Sequence, residues 1–336
     1  MVIKAFVIYH GDCDGVISAG LYIRHFLLDY VPNNIMLKYS QPWRLQEDLN
    51  RCLKNLRNAD TLVLLDLAIG TNIANKIKEI VGKNEHINIV IIDHHSSSMI
   101  ALKELQELEP RVKVLWSKAQ STPEVLAHTI IRDLNGFEEV LVKVANVCEG
   151  GSANEPYIRE IADKIKLVLA VEPTNEHLIK GAVEAIIKGV EFWNSKEFNE
   201  KYSKAKWLLQ TLLKRIEEKI EHVCDWNIAT FRAAESIIYA GLFGVASSEY
   251  IKKTKQPIVI VREEEEKIVI TVRSLNEQAL EFCKSFALTH GNNMSIIYGG
   301  HREAASMTIK TDKSLVEVIA IVKNFIKEKY CCCKQI

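Results

Sequence analysis

Three short apolar runs early in the chain each stop at a residue that can carry charge: Ala5 to Tyr9 before His10, Thr61 to Leu65 before Asp66, and Ile87 to Ile92 before Asp93. Runs rich in Val and Ile without polar alternation suit strands covered on both faces. Helical patterns over 15–30 and 70–82 suit the crossovers of a parallel sheet. The carboxyl ends of such strands share one edge, where ligands bind. The three loaded ends are therefore expected to converge.

After the first run the chain reads His10-Gly11-Asp12-Cys13-Asp14-Gly15. Two carboxylates one residue apart at the end of a buried strand repel each other, and a metal ion is the obvious counter-charge. The third run ends in Asp93-His94-His95. Carboxylate oxygen with imidazole nitrogen suits Mn²⁺ or a similar ion better than it suits a thiolate zinc site. One such histidine alone is more often a hydrogen-bonded core residue. Beside Asp12, Asp14 and Asp66 on neighbouring strand ends, the group reads as a metal centre.

The chain of 336 residues has room for two ordinary domains. Lys plus Arg and Asp plus Glu both number 43, so net charge makes no case for a polyanionic partner and any nucleic-acid contact must be local. No apolar stretch reaches the roughly 18 residues of a membrane span, and no signal-peptide pattern opens the chain, so a cytoplasmic protein without membrane contact is expected. The cysteines are too scattered for zinc pairs and read as reduced thiols, with Cys331 to Cys333 as a frayed tail.

Further along, Ser121-Thr122-Pro123-Glu124 reads as a helix start, with Thr capping free amides and Pro in the first turn. Residues 155–223 read as mostly helical, and apolar positions 209, 212, 213, 216, 220 and 223 suggest a connecting helix. From Trp226 the pattern turns to strands. Pro257 to Val261 and Lys267 to Val272 form a hairpin candidate across an acidic exposed turn. A helix over 278–289, strands at Met294 to Tyr298 and near Met307, and a helix over 314–329 complete the expectation.

These motifs, in this order, resemble the DHH phosphoesterases over nearly the whole chain. His10 to Gly15 is similar to the first motif, Leu65-Asp66-Leu67 to the second and Asp93-His94-His95 to the third. The Ser121 helix start also fits. Val272-Arg273-Ser274 and Gly299-Gly300-His301-Arg302-Glu303-Ala304-Ala305 are similar to the DHH-associated domain. The fourth motif normally supplies an aspartate. The segment Val144 to Gly151 offers Glu149 in its place.

The resemblance implies an α/β fold: a parallel-sheet DHH catalytic domain (1–190), a connecting helix (191–225) and a smaller mixed α/β DHH-associated substrate-binding domain (226–336), with the active site in the cleft between the domains. It implies two divalent ions, Mn²⁺ preferred and Mg²⁺ or Co²⁺ accepted. Asp66 would bridge them, His10 and Asp12 would complete one, and Asp14, His94 and Glu149 the other. Asp93 would orient a ligand and His95 would touch a phosphate oxygen. Ser274, Gly299 and Gly300 would hold substrate, with Arg273 and His301 adding charge-assisted contacts. The implied activity is a RecJ-like or nanoRNase-like exonuclease on single-stranded DNA, RNA or short oligonucleotides. Replication or repair proteins are candidate partners. The alternatives are a small-nucleotide phosphatase or cyclic-dinucleotide phosphodiesterase, and a catalytically weakened scaffold in replication or repair.

Overall fold

The computed structural model describes residues 3–53, 59–239 and 241–331. Internal contacts divide the chain into two units, residues 1–202 and 203–336. The division falls within one long helix, Lys196–Glu218.

The first unit is laid down as β1 (Ala5–His10), α1 (Cys13–Phe26), β2 (Ile35–Ser40), α2 (Leu45–Leu53), β3 (Thr61–Leu65), α3 (Thr71–Lys83), β4 (Asn88–Asp93), α4 (Met99–Gln106) and β5 (Val112–Trp116). The strands are all parallel, in the order β2-β1-β3-β4-β5. Strand side chains alternate between faces. Val7, Tyr9, Val63 and Leu65 therefore pack with α1 and later helices on one face, while Phe6, Ile8, Leu62 and Leu64 meet α2, α3 and α4 on the other. Burial on both faces is why these runs carry no polar alternation.

The chain leaves β1 toward β2 on one side and returns as β3 on the other, so the strand order reverses at β1. An open α/β sheet binds ligands beyond the carboxyl ends at such a switch point. His10, Asp12, Asp14 and Asp66 all lie there. The three expected strands are β1, β3 and β4. β2 and β5 escape the apolar-run criterion because they are sheet edges, where Met36 and Lys113 are exposed.

Five helices follow: α5 (Thr122–Thr129), α6 (Gly136–Cys148), α7 (Pro156–Val171), α8 (Glu176–Ile187) and α9 (Lys196–Glu218). The apolar pattern through residue 223 outruns α9, which stops at Glu218. Glu221–Val223 is instead β6.

The second unit continues with β7 (Trp226–Phe231), α10 (Ala233–Tyr239), α11 (Leu242–Thr254), β8 (Ile258–Glu264), β9 (Lys267–Arg273), α12 (Ala279–His290), β10 (Ser295–Gly300), β11 (Ala304–Lys310) and α13 (Leu315–Ile326). Its sheet runs β10-β11-β9-β8-β7-β6 and is mixed, because β7 and β8 are parallel. That parallel pair needs a crossover, and α10 and α11, which the strand-like reading passed over, lie between the two strands. The β8–β9 hairpin pairs as far as Glu264 with Lys267, leaving only Glu265 and Glu266 in the turn.

The reading of the cysteines as separate thiols is corrected. Cys13 is bonded to Cys148 and Cys224 to Cys331, while Cys52 and Cys283 are buried and free. Proximity in sequence said nothing of this, because the pairs are separated by 135 and 107 residues. Cys331 closes a helical turn after α13. The rest of the expected tail, Cys332 and Cys333, lies outside the described residues.

Candidate metal centre

Asp66 sits at the middle of the site. It follows β3 with φ of 57°, a left-handed conformation that Asp tolerates better than most residues and that clusters at functional sites. Its carboxylate is 2% exposed. Oδ2 lies 3.6 Å from His10 Nδ1, and Oδ1 lies 3.5 Å from His94 Nε2. The two oxygens thus face two different groups of donors.

The first group is His10, Asp12 and Asp66, whose donor atoms lie within 4.8 Å of one another. His10 ends β1, and its Nδ1 is 3.0 Å from Asp12 Oδ2. Asp12 caps α1 by accepting from Gly15 N at 3.0 Å. Gly15 is needed because a Cβ there would sit 2.2 Å from the His10 carbonyl oxygen. A side chain at 15 would push α1 away from β1 and pull Asp12 from Asp66. His10 Nε2 meets Gln41 Oε1 at 3.1 Å, so the ring's second nitrogen is tied to the end of β2.

The second group is Asp14, Asp66 and His94, all buried and within the same 4.8 Å limit. Asp14 lies in the first turn of α1, where Ser18 Oγ donates to it at 3.1 Å. His94 Nε2 is 3.4 Å from Asp14 Oδ2, and its Nδ1 is 3.4 Å from the Ala119 carbonyl oxygen. Each of the two histidines therefore has one nitrogen on an outer partner and the other toward Asp66. Metal-binding imidazoles are oriented in this way.

Asp93 ends β4 and holds the neighbouring ring: His95 Nδ1 lies 2.6 Å from Asp93 Oδ1, and Ser98 Oγ donates to Asp93 Oδ2. Trp116 Nε1 donates to the His95 carbonyl oxygen at 3.0 Å. Asp93, His95 and Asp66 also come within the same limit.

Electrostatics follow from packing these charges out of water. Burial and the Asp66 charge push the Asp14 carboxyl well up. Asp66 moves the opposite way: burial would raise it, but hydrogen bonds with His10 and His94 and the charge of His95 hold it far below the usual carboxylate range. Burial would lower His94, yet its bond to Asp66 and the charge of Asp14 raise it to about 11. His10 and His95 are likewise raised by Asp12 and Asp93, against burial. The cluster thus gathers carboxylates out of water beside imidazoles, an excess of negative charge that a divalent cation would balance. Donors of hard oxygen and imidazole nitrogen, converging around one shared carboxylate, fit such ions.

Glu149 caps the end of α6. It lies outside the groups that converge within 4.8 Å. It is electrostatically joined to them: burial, then Asp12 and Asp66, raise its carboxyl, and it raises Asp14 in turn.

Two contributors escaped the sequence reading. Thr122 was expected to cap α5, but Ser121 does so, accepting from Glu124 N. Thr122 instead joins both groups: its N–H donates to Asp14 at 3.1 Å, and its Oγ1 donates to Asp66 Oδ1 at 3.1 Å. Gln41 was invisible because it follows an edge strand that the apolar pattern does not reveal.

The residues expected to hold substrate lie in the second unit. Arg273 Nε donates to Ser248 Oγ at 3.0 Å and Nη2 to the Gly244 carbonyl oxygen at 3.3 Å. Ser274 is 1% exposed and its N–H donates to the Glu303 carbonyl oxygen at 3.0 Å. Gly299 and Gly300 lie in β10, paired with Ser306 and Ala305, rather than in an open loop. Gly300 has φ of 127°, and a Cβ would sit 2.4 Å from the Ala304 carbonyl oxygen. His301 begins the turn, its N–H donating to the same carbonyl at 2.8 Å. Among the described residues no helix is long and apolar enough to cross a membrane.

Residues 4–150 match the sequence profile of the DHH family, N-terminal domain. No curated protein sequence matches the chain significantly. Among solved structures, RecJ in complex with Mn²⁺ from Thermus thermophilus superposes with a TM-score of 0.62 at 16% identity, covering 97% of this chain and 52% of RecJ. A pGpG-specific phosphodiesterase from Vibrio cholerae gives 0.55 at 14% identity, over 96% and 98% of the two chains. CDC45 from Entamoeba histolytica gives 0.58 at 10% identity, over 97% and 95%. The fold is therefore shared along almost the whole chain with these structures, and residues 4–150 match the N-terminal domain of the DHH family.

Proposed function

We propose that this protein is a divalent-metal-dependent phosphodiesterase, with Mn²⁺ preferred, that removes nucleotides from an end of single-stranded DNA or RNA or of short oligonucleotides. The observation that carries the reading is Asp66, shared by two groups of Asp and His donors. His10 and Asp12 complete one ion site with Asp66, and Asp14 and His94 complete the other, with Glu149 beside it. Ions bound there would supply Lewis-acid chemistry, lowering the pKa of a water and offsetting charge on the leaving oxygen of an in-line displacement. The protein's own work is geometric. Thr122 fixes Asp14 and Asp66 together, Ala119 and Gln41 orient the two imidazoles, and Asp93 holds the His95 ring for a phosphate oxygen.

Support comes from the DHH profile, from the two donor groups that share Asp66 and from structural neighbours that include a RecJ with Mn²⁺ and a phosphodiesterase. A scaffold like a replication factor would have no need of donors held this closely. The test is a product ladder from end-labelled DNA and RNA oligomers of several lengths, with Mn²⁺ and with chelator. Stepwise shortening from one end, abolished by chelation, is the expected result. Hydrolysis that resists chelation, or internal cuts alone, overturns the proposal.

A further inference from the structure

Cys13 stands between Asp12 and Asp14 at the first residue of α1, and Cys148 stands immediately before Glu149 at the last residue of α6. The bond between them joins the two chain segments that bring carboxylates to the acidic cluster. Both cysteines are buried, at 2% and 4% exposure, within one apolar cluster with Val16, Leu126 and Val144. We propose that Cys13–Cys148 is a redox modification site that sets the metal affinity of the cluster, the oxidised pair tethering the end of α6, and Glu149 with it, to the start of α1 and the reduced pair loosening that tether. The inference rests on reading the cluster as a metal centre.

The physical argument is one of distance. Breaking the bond replaces covalent sulfur contact by van der Waals contact, lengthening the separation by about 1.5 Å. Metal ligands need positions good to about 0.2 Å. Beside the disulfide, Gln120 Nε2 donates to the Glu149 carbonyl oxygen at 2.8 Å and Lys166 Nζ to the Cys148 carbonyl oxygen at 2.6 Å, while Asn146, three residues before Glu149, accepts from Ser121 Oγ and donates to Glu124 Oε1 at 3.3 Å. The two contacts nearest Glu149, from Gln120 and Lys166, come from side chains with flexible stems. When the sulfurs part, the end of α6 moves and Glu149 moves with it, whereas Asp66 stays held by Thr122 from α5.

The chemistry is thiol–disulfide exchange with a dithiol reductant. One reductant thiolate attacks a sulfur of the pair and forms a mixed disulfide, and the other cysteine leaves as a thiolate and takes up a proton. The reductant's second thiolate then displaces the remaining cysteine, which is protonated in turn. Two electrons and two protons reach the pair, and the reductant departs as its own disulfide.

Linkage supplies the test, because coupling between two equilibria is reciprocal. The full chain, oxidised or reduced with dithiothreitol and then freed of reductant without oxygen, is titrated with Mn²⁺ by electron paramagnetic resonance, while peptide mapping reports each cysteine pair. About tenfold weaker binding of one ion is expected after reduction. By reciprocity, saturating Mn²⁺ should lower the midpoint potential of the pair by about 30 mV, the equivalent of tenfold for two electrons. The Cys13→Ser/Cys148→Ser double variant should bind like the reduced protein and ignore dithiothreitol. Equal Mn²⁺ affinity in both states, with mapping that shows the pair opened, overturns this proposal and leaves the metal centre standing. Free thiols at 13 and 148 under oxidising buffer also overturn it. No Mn²⁺ bound in either state overturns both readings.

Discussion

The end of β3 and the end of β10 both carry motifs that chemistry could explain, and they differ in what else explains them. At Asp66 nothing in the fold requires a carboxylate: the residue is buried, left-handed and close to the like charge of Asp14, and each of these is a cost. At Gly299-Gly300-His301 the fold accounts for Gly300, whose positive φ and close approach to Ala304 build a hairpin turn. Arg273, at the end of β9 and paired with Ala304 of β11, is already bonded to Ser248 and the Gly244 carbonyl. A feature that costs stability where it stands argues for function more strongly than one that also builds the fold.

The contrast breaks most simply at Asp66. Asp66→Asn keeps the shape and a residue that tolerates positive φ, so melting temperature should change little. The shared charge is lost, both ions should leave together, and turnover should fall by about a thousandfold or more. Metal stoichiometry and single-turnover rates on the same sample check this. A variant that holds two ions at unchanged turnover would remove Asp66 from the centre of the site.

Glu149 comes next, because it is joined to the cluster by charge without being one of the converging donors. Glu149→Ala should lose one ion and about a hundredfold in rate, recovering partly at high Mn²⁺ as mass action refills the weakened site. Glu149→Asp keeps a carboxylate at this position on an arm shorter by one methylene. It is expected to hold less metal than wild type, since Glu149 itself lies outside the closely converging groups. Full turnover in Glu149→Ala with two bound ions would exclude it as a ligand.

Much of this site was legible because its residues are local to strand ends. Runs buried on both faces announced β1, β3 and β4, and the sheet then delivered His10, Asp12, Asp14, Asp66, Asp93, His94 and His95 to one edge without further information. What the sequence hid depends on distant chain. Thr122 looked like a cap, and only the placement of α5 over the sheet turns it toward Asp14 and Asp66. The cysteine pairing across 135 residues had no local trace. The helix α10 was missed because Ile237 and Ile238 are exposed and blur the apolar stripe.

Gln41 gives a finer test of the first donor group. Its Oε1 accepts from His10 Nε2, which leaves Nδ1 as the nitrogen that faces Asp12 and Asp66. Gln41→Met removes the acceptor at similar length and should weaken one ion about tenfold, as loss of an outer partner usually does. Gln41→Glu keeps an acceptor and should bind close to wild type. Calorimetric Mn²⁺ titration of both variants separates this positioning role from simple packing, which Met would preserve.

The smallest effects belong to the second unit, where the comparison began. If His301 and Arg273 only hold the strand, replacing either with Ala should raise KM more than it lowers kcat, the pattern of lost uniform binding. The two should part on stability. Arg273→Ala strips donors from Ser248 Oγ and the Gly244 carbonyl, contacts that are half-buried, and should cost about 1 kcal/mol even without substrate. Arg273→Lys cannot reproduce the fork that reaches both partners and should recover only part of that loss. His301→Ala keeps the backbone bond from residue 301 to Ala304, which the turn requires, and should leave the melting temperature nearly unchanged. Steady-state kinetics over a range of oligomer concentrations, with thermal melts of the same preparations, separates the outcomes. A fall in kcat at constant KM for His301→Ala would move that residue from holding substrate into the chemical step, and the two strand ends would then differ in degree rather than in kind.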